Sequence, residues 1–469
     1  MTVARSHFCL ARVTLEALSA HGIHSGQGDA THDVLLVRDA NHLPALPGTS
    51  LAGVLRHAYQ RRHGERATHA LFGVGGEQAQ ASSLNVAWAL VHDSANRPVE
   101  GLRTDLGTDP LLARLLDDKP LVRQRVRLDH TGTASSAGKF DVTLIPAGVR
   151  YTGWLSFWGD GSDASRMLWW QLLELLNGSV LHLGHGTRSG NGHFEVVELL
   201  HAEWNVAEPV GREAFVARPR SRAQRGTLAP FTPSGQAPAR LEATLKLRAE
   251  AGWRVGGGEQ SLNAARYDKQ PDLLPQHEIR VHWNGDEGRL GTQHHLLPAS
   301  AIKGALRHRV AYHYRCLTED FAQPDARHAP EHCPAVSALF GHAQDDEGRA
   351  GVLAFHDVVI HDAQCVRLMH NRIDRYTGGV INGALFSEEV LWQTPLELRI
   401  ELWPDAAGVD RVSRQALARA LDDLACGWLP LGANGSRGLG VFVGDGDSAV
   451  RWSDGGHWIH GAADMELAA

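Results

Sequence analysis

The chain has 469 residues, of which 43% are hydrophobic and 21% are charged, a composition typical of a globular protein long enough for two or three domains. Its formal net charge of −7 disfavours, without excluding, a free-standing nucleic-acid-binding domain, since such domains are usually basic. No apolar run approaches about 18 residues, so we expect no membrane-spanning helix and no membrane partner. Five widely separated cysteines argue against a disulfide framework and for a cytoplasmic protein.

The elements predicted in the first part of the chain follow from local patterns. Partial alternation predicts the strands, helical spacing of apolar residues predicts the helices, and clustered glycines predict turns and loops. In chain order they are a strand at 8–18, a glycine-rich turn at 22–28, an acid-containing loop at 28–39, a helix that begins within 46–56, a helix at 165–177, a glycine-rich loop at 183–192 and a strand at 194–199.

The same landmarks recur later in the chain. The sequence Leu-Pro-Gly-Thr-Ser-Leu-Ala-Gly-Val-Leu-Arg at 46–56 returns as Leu-Pro-Ala-Ser-Ala-Ile-Lys-Gly-Ala-Leu-Arg at 297–307. We call these two stretches the Leu-Pro repeats. Ala-Leu-Phe-Gly follows each of them, at 70–73 and at 338–341. Because chance does not readily supply such landmarks in the same order, we infer an internal duplication.

The duplication predicts two domains of one design. We expect a first domain at 1–204, a proline-rich linker at 205–240 and a second domain at 241–469. Each half runs strand, helix, strands, helix, strand. That order predicts an α+β fold with two helices on one face of an antiparallel sheet, which is the ferredoxin-like arrangement.

Each Leu-Pro repeat is expected to turn a strand end directly into a helix. Thr49 or Ser50 in the first repeat, and Ser300 in the second, stand where their hydroxyls would cap the first turn. Gly53 and Gly304 lie inside the predicted helices, where a glycine costs about 1 kcal/mol relative to alanine. A glycine at the same place in both helices suggests that something approaches the helix backbone closely, and such helix starts are natural phosphate sites.

Two glycine-rich loops, at 183–192 and 431–440, are candidate anion sites. Their glycines let backbone N–H groups converge, and Arg188 and Arg437 within them would each add a charge-assisted phosphate contact. A tight turn with a solvated arginine explains one such loop, but two loops with an arginine favour phosphate binding. Neither matches the Gly-Lys-Ser/Thr pattern of a P-loop, which argues against an ATPase.

Arginines form a local basic stripe in each half. In the first half they alternate, so on a strand they would share one face. Contact with a nucleic-acid backbone and a charged solvent face of a hairpin explain this pattern equally well. The stripe consists of Arg123, Arg125 and Arg127 with Lys119 in the first half, and of Arg367, Arg372 and Arg375 in the second.

Acidic residues precede the predicted helix of each half. They are candidates for a general base or for a hard divalent metal held through water, although an isolated loop aspartate is more often a turn or cap residue. The spacing differs between the halves. The candidates are Asp29, Asp33 and Asp39 in the first half, and Asp268, Asp272 and Glu278 in the second.

Another candidate is a zinc site in the insertion before the second Ala-Leu-Phe-Gly. Cys316, His328, His332 and Cys333 supply thiolates and imidazoles, both of which suit zinc. Their spacing fits no standard zinc finger, and the adjacent His332 and Cys333 are difficult to use together.

As an ordered set, these landmarks resemble the RAMP superfamily of CRISPR proteins, and most closely the backbone subunits of type III effector complexes. The fusion of two such units is similar to the type III variants with fused backbone subunits, such as III-D. The stretches that carry the resemblance are 22–26, 33–39, 46–56, 71–73, the region of Asp129 and 184–192 in the first half, and 297–307, 339–341, 373–378 and 432–440 in the second.

The resemblance implies two modified ferredoxin-like (RRM-like) domains with hairpin insertions, stacked along a guide RNA (crRNA). It implies cleavage of target single-stranded RNA by a metal-dependent endoribonuclease that uses Mg²⁺ or Mn²⁺, with Asp33 in the place of the required acid. The implied partners are crRNA, target RNA and other type III subunits, including the large polymerase-like subunit. The helix that holds guide phosphates in the family corresponds to a stretch containing Ser50, Arg56, Ser300, Lys303 and Arg307.

Two departures from the family pattern make the halves unequal. Ala52 replaces the lysine that is usual in the first repeat, and the second half has no clean match for the acid, so it is either inactive or uses Asp268, Asp272 or Glu278. We therefore expect a first half committed more to cleavage and a second half more to binding. The alternatives are a non-catalytic crRNA-binding scaffold and a metal-independent guide-processing endoribonuclease with a histidine base.

Overall fold

The structure is a computed structural model of the chain. It describes residues 5–24, 35–76, 79–129, 133–177, 181–234, 240–321, 332–342, 348–446 and 449–460.

The elements up to residue 230 surround the first Leu-Pro repeat. The strands are β1 (His7–Ala17), β2 (Ala45–Leu46), β3 (Leu84–Val86), β4 (Ala89–Val91), β5 (Leu121–Leu128), β6 (Ala134–Leu144), β7 (Arg150–Gly159), β8 (Leu181–His182), β9 (His193–Asn205) and β10 (Ala229–Pro230). The helices are α1 (Gly48–Phe72), α2 (Pro110–Leu116), α3 (Asp163–Leu176) and α4 (Pro209–Val216).

The remaining elements surround the second repeat. The strands are β11 (Leu241–Ala249), β12 (Gly252–Trp253), β13 (His277–Glu278), β14 (Val281–Asn284), β15 (Glu287–Leu290), β16 (His294–Leu297), β17 (Gly341–His342), β18 (Arg349–Ala350), β19 (Leu353–Phe355), β20 (Val358–Ile360), β21 (Cys365–His370), β22 (Phe386–Trp392), β23 (Pro395–Leu402), β24 (Phe442–Gly444) and β25 (Val450–Trp452). The helices are α5 (Ala299–Thr318), α6 (Pro334–Phe340), α7 (Arg411–Ala425) and α8 (His457–His460).

Each half is built on an antiparallel sheet. The first has the order β10-β9-β1-β7-β4-β2, with β3 also on β7 and β8 also on β9. The second has the order β19-β23-β11-β24, with β25 also on β11. The predicted α+β class is confirmed, since the helices and the curled antiparallel sheets correspond to tandem ferredoxin-like RAMP domains.

Helices pack on one face of each sheet, as the apolar patterns predict. In the first half, Leu55 and Tyr59 of α1 and Trp169 of α3 join a core with residues of β1. In the second half, Leu306 of α5 and Leu421 of α7 join a core with β11 and β23. The alternating residues of β11 point their apolar side chains into that core, which is the usual outcome of a two-residue period.

The two glycine-rich loops have the same backbone structure. Leu183 N donates to Gly192 O at 2.8 Å, and Leu431 N donates to Gly440 O at 2.9 Å. Gly192 and Gly440 have φ of 68° and 72°, and a Cβ would lie 2.0 Å from Leu183 O in the first loop and 2.2 Å from Leu431 O in the second. These positions require glycine, and their equivalence supports the inferred duplication.

A hairpin from the second half completes the first-half core. Val281 of β14 is buried in that core, and its backbone N–H donates to Ala147 O at 2.8 Å. Trp283 Nε1 donates to Gly148 O at 2.6 Å. The two halves are therefore joined by packed surfaces as well as by the chain.

The segment predicted as a linker carries structure of its own. It contains α4, and its β10 pairs with β9 at the edge of the first sheet. Arg12 Nε donates to Arg222 O at 2.6 Å, and Glu100 accepts hydrogen bonds from Ser221 and from Arg222. At least the described part of this segment packs against the first half.

Candidate nucleic-acid interface

The two Leu-Pro helices begin in the same way, but not with the predicted caps. The N-cap residues are Pro47 and Pro298, and neither helix has a side-chain cap hydrogen bond at that position, so the capping prediction for Thr49 or Ser50 and for Ser300 is wrong. In α5, Ala299 N instead donates to Asp357 Oδ1 at 2.8 Å. A carboxylate from a distant loop thus accepts from the helix start, where negative charge is favoured.

The helix glycines face away from the rest of the protein. A Cβ placed on Gly53 or on Gly304 would meet no described atom within 4 Å outside the local helix. The predicted close approach to the helix backbone is therefore not made by another described part of this chain.

Arg123 lies in a buried ionic network between the halves. Its side chain is 2% exposed, and its guanidinium donates to Glu278 at 2.6 and 2.8 Å, to Asp357 at 2.7 Å and to Asn191 at 3.0 Å. The two carboxylates raise the pKa of Arg123 despite its burial. Because these partners occupy its donors, Arg123 holds segments of the two halves together, and its RNA-binding role stays a prediction.

Burial decreases along β5 from the body of the protein outward. Arg123 is buried, Arg125 is partly buried and Arg127 is exposed. The β5–β6 hairpin therefore projects from the first half. Its outer part exposes Val126 and Leu128 on one face and Phe140, which lies opposite Arg125, on the other.

Four cations predicted separately from the sequence converge between the halves. Lys303 and Arg307 come from α5, Arg125 from β5, and Arg188 from the first glycine-rich loop. Burial first, and then the charges of Arg188, Arg307 and Arg125, lower the pKa of Lys303 to about 8. We call these four residues the basic cluster, and it has the charge of an anion-binding site.

Within the basic cluster, Arg125 has donors that the protein leaves unused. Its Nε and Nη2 atoms are buried and have no hydrogen-bond partner among the described residues. Burial lowers its pKa, and Arg123 adds to the effect. Unpaired buried donors are rare in folded proteins, so an anionic ligand would resolve an unfavourable feature of this site.

Arg188 is held in place by the second half. Its guanidinium lies 3.7 Å from the ring centroid of Trp403, and its Nε donates to Gly351 O at 2.5 Å. The cation–π contact and the hydrogen bond orient the side chain. Sequence reasoning singled out Arg188 but missed Trp403, Gly351 and Asp357, because no local motif distinguishes them.

The second half presents its predicted cations on a more open surface. Arg372 and Arg375 are exposed in the connection between β21 and β22, and Arg437 is exposed in the second glycine-rich loop. Tyr376 is 88% exposed in the same connection. Exposed aromatic side chains beside arginines are typical of surfaces on which nucleic-acid bases stack. The RNA-binding roles of these residues, and those of Ser50, Arg56 and Ser300, stay predictions.

The predicted acids have different surroundings. Asp29 and Asp33 lie outside the described residues. Asp39 accepts backbone hydrogen bonds from Asn41 and Leu43, as a turn residue does. Of the acids in the second half, Asp268 and Asp272 are both exposed. Asp272 also accepts hydrogen bonds from the backbone N–H and the hydroxyl of Ser387.

The predicted zinc ligands are only partly within the described residues. Cys316 lies on α5, His332 is exposed and Cys333 is buried before α6, whereas His328 lies outside the described ranges. Burial raises the pKa of the Cys333 thiol. Zinc at this position stays a prediction.

Comparison with known proteins identifies the family. A sequence model described as the RAMP superfamily matches residues 14–195 and 246–443. Because these two regions cover most of the chain and each contains one Leu-Pro repeat, the chain belongs to the RAMP superfamily, with one RAMP region in each half. The resemblance predicted from the ordered motifs is confirmed at this level.

Solved structures add distant similarities. Chains from two structures of a type III-B Cmr-beta complex, one in the apo state and one bound to cognate target RNA, each share 12% identity with this chain. Each match covers 40% of this chain and 96% of the other, with a TM-score of 0.31. No curated protein matches.

Among the described residues, no helix has the length and apolar character needed to cross a bilayer.

Proposed function

We propose that this chain is a backbone subunit of a type III CRISPR effector that binds guide RNA and cleaves complementary target RNA. The observation that carries the proposal is the basic cluster, in which Arg125, Arg188, Lys303 and Arg307 converge from both halves. Membership of the RAMP superfamily supports it. The net charge of −7 does not oppose it, because phosphate contacts depend on local charge.

The basic cluster would hold guide phosphates next to the N-terminal part of α5. Arg125 offers unused guanidinium donors, and Lys303 offers an ammonium group whose neighbours include three arginines. A bound phosphate would relieve the repulsion among these cations. Gly304 leaves open space beside the helix, so the RNA backbone can come close to it.

The projecting hairpins would contact the guide–target duplex. Val126 and Phe140 on the first hairpin, and Ile373 and Tyr376 in the β21–β22 connection, are exposed apolar or aromatic residues. Stacking of bases on such side chains is favourable and tolerant of sequence. Arg127, Arg372 and Arg375 lie beside them, where they would contact phosphates.

The proposed cleavage depends on Asp33 in the first half. A carboxylate there would accept the proton of the attacking ribose 2′-hydroxyl or orient a metal ligand. A bound Mg²⁺ or Mn²⁺ would stabilise charge that develops on the phosphate. Asp29 is the second candidate in the same loop, and Asp268 and Asp272 are the candidates in the second half.

A further RAMP subunit is a fitting partner for the second half. The first glycine-rich loop lies against the second half, where Ser189 forms a parallel bridge with Phe355. The equivalent loop of the second half leaves Arg437 exposed. In this chain the second half covers the first glycine-rich loop. A neighbouring subunit that packs on the second half in the same way would cover the second glycine-rich loop. The other proposed partners are further type III subunits, including the large polymerase-like subunit.

The binding part of the proposal is tested with the double variant Arg125→Gln, Lys303→Met. We expect guide-RNA affinity to fall, and the slope of log K against log salt to decrease by about 1.4, since each lost single-strand phosphate contact removes about 0.7. The matched control is Arg103→Gln, because Arg103 is an exposed arginine paired with Asp105 outside the cluster. Unchanged affinity and slope in a folded double variant would refute phosphate binding at the basic cluster.

A further inference from the structure

Three buried side chains with metal-binding atoms converge in the second half. They are His295 on β16, Cys365 at the start of β21 and Glu389 on β22. One ligand atom of each lies within 4.8 Å of the other two, and His295 Nε2 lies 3.5 Å from Cys365 Sγ. None of the three belongs to the zinc set expected from the sequence.

We propose that His295, Cys365 and Glu389, with His277 as a fourth ligand, form a structural site for a divalent transition metal, with Zn²⁺ as the best match. This inference does not depend on RNA binding or cleavage. It also differs from the proposed Mg²⁺ or Mn²⁺ requirement in its ligands, because sulfur and imidazole suit zinc whereas Mg²⁺ and Mn²⁺ prefer oxygen.

The first argument is the buried carboxylate of Glu389. Its residue is 0% exposed, and the hydrogen bonds that the described side chains donate to it come from the neutral groups of Ser261 and Asn263. A buried carboxylate whose hydrogen-bond donors are neutral is costly, and Arg367, which lies opposite Glu389 in the β21–β22 pair, donates to Ser387 Oγ. A divalent cation between Glu389, Cys365 and His295 would supply a positive charge.

The second argument is a pair of imidazoles with unused nitrogens. His277 on β13 lies directly opposite His295 on β16 in an antiparallel pair, so the two side chains are on the same face of the sheet. Both ring nitrogens of His277 and Nδ1 of His295 are buried and make no hydrogen bond of good geometry with the described residues, although backbone groups of Gln260 and Gln276 lie close enough to raise the pKa of His277 and of His295 against the effect of burial. His295 itself is 6% exposed. Buried polar atoms without partners require an explanation, and a bound ion is one that fits the neighbouring ligand atoms.

The third argument is the geometry of the donor set. Zinc bonds of about 2.0 Å to nitrogen and 2.3 Å to sulfur, at tetrahedral angles, place the two ligand atoms about 3.5 Å apart. The separation of His295 Nε2 and Cys365 Sγ is 3.5 Å. One thiolate, one carboxylate and two neutral imidazoles would also balance the charge of a divalent ion, which suits a buried site.

The position of the site indicates its role. His295 lies on the strand that leads directly into α5, the helix of Lys303 and Arg307. Cys365 and Glu389 lie on the two strands whose connection carries Arg372 and Arg375. A metal bound to all three strands would fasten this connection to the second Leu-Pro helix, and thus fix two parts of the surface relative to one another.

The test uses the full chain, purified without added metal and then loaded with Co²⁺. Because the proposal gives one site, we expect about one tightly held metal per chain. Because that site includes a thiolate, we also expect a thiolate-to-Co²⁺ charge-transfer absorption. Cys365→Ser should abolish that absorption, and His277→Gln should weaken metal retention. The control variants Cys316→Ser and Cys333→Ser should leave it unchanged.

Two outcomes would overturn the proposal. One is an unmodified chain that binds no Zn²⁺ or Co²⁺ tightly, or binds Co²⁺ without a thiolate band. The other is a thiolate band that persists in Cys365→Ser and disappears in Cys316→Ser or Cys333→Ser, which would place the metal in the other insertion. If Cys365→Ser does not fold, the Co²⁺ spectrum of the unmodified chain together with that of His277→Gln decides the question.

Discussion

The two glycine-rich loops have the same internal structure but different surroundings. Each is closed by the same backbone hydrogen bond and needs a glycine at the same place. The first loop lies against the second half, where Arg188 contacts Trp403 and Gly351, whereas Arg437 of the second loop is exposed. The comparison teaches that the local sequence determines the form of the loop, while the neighbouring unit determines what its arginine does.

The buried arginines of the two halves differ in the same sense. Arg123 reaches across to Glu278 and Asp357 of the second half. Arg254 pairs with Glu388, which lies within its own half and also has Asn434 as a partner. The first network therefore joins two units, and the second network supports a single unit.

The largest expected effect concerns cleavage and would establish whether the halves differ in activity. We expect Asp33→Ala to lower the rate of target-RNA cleavage by about 10²–10⁴-fold, the usual contribution of a catalytic acid or base, without loss of guide RNA. Asp272→Asn, the matched change in the second half, should leave the cleavage positions unchanged. Cleavage is mapped on labelled target RNA with the assembled complex.

The outcomes of that experiment separate the candidate functions. If every cut persists in Asp33→Ala, this acid is not catalytic. Loss of cuts in Asp272→Asn would move activity to the second half. Cleavage of guide precursor by the isolated chain in EDTA would favour the metal-independent processing endoribonuclease, and a complex that binds target without any cut from this chain would favour the scaffold.

The next effect concerns stability and compares the two arginine networks. Arg123→Ala leaves two buried carboxylates without their counter-ion, so we expect a loss of about 3–5 kcal/mol in the free energy of unfolding. Arg254→Ala should cost less, because Glu388 keeps Asn434 and lies 2.7 Å from His370 Nε2. Denaturant unfolding of both variants measures the difference. An equal or larger loss for Arg254→Ala would contradict the distinction between the networks.

A smaller effect compares the loop glycines. Gly192→Ala and Gly440→Ala each place a Cβ against a backbone carbonyl oxygen at a positive φ, and we expect each to destabilise the protein by about 1–3 kcal/mol. Only Gly192→Ala should also weaken guide-RNA binding, because only the first loop positions a member of the basic cluster. Gly107→Ala is a control, since nothing lies near that site. Equal binding losses in both loop variants would show that Arg437 contributes as much as Arg188.

The smallest effect is a pH dependence that belongs to the second Leu-Pro helix. The pKa of Lys303 is lowered to about 8 from 10.5, first by burial and then by neighbouring arginines. As pH rises through 8, Lys303 loses its charge and guide-RNA affinity should fall, by about tenfold at most for one phosphate contact. Lys303→Met should remove this fall in affinity near pH 8. Lys303→Arg should move it to a much higher pH, because arginine stays protonated.

The stability of the RNA-free protein should move in the opposite direction. Below pH 8 the folded state carries a protonated Lys303 that it disfavours, so the full penalty is present there. Between pH 8 and 10.5 the unfolded chain binds more protons than the folded chain, so the Lys303 contribution to stability rises with pH. Thermal unfolding of the unmodified protein against Lys303→Met measures this contribution, and a difference that does not change with pH would refute the shifted pKa.

The sequence alone determined the duplication, the α+β class and the family. These features depend on short-range patterns: apolar periods within strands and helices, glycines required by local backbone geometry, and the order of motifs along the chain. Gly192 and Gly440 illustrate this, because their role is set by a carbonyl oxygen only nine residues away (192 − 183 and 440 − 431). Such features do not depend on which residues pack around them in the folded protein.

Only the tertiary structure decided which charged residues meet. Arg123 and Arg125 alternate on one strand, yet one is neutralised by Glu278 and Asp357 and the other joins Lys303 and Arg188. The buried group of His295, Cys365 and Glu389 likewise brings β16 to the paired strands β21 and β22, with His295 and Cys365 separated by 70 residues. The physical reason is that burial and electrostatic partnership depend on distance in space, and sequence spacing carries no information about it once the chain has folded back on itself.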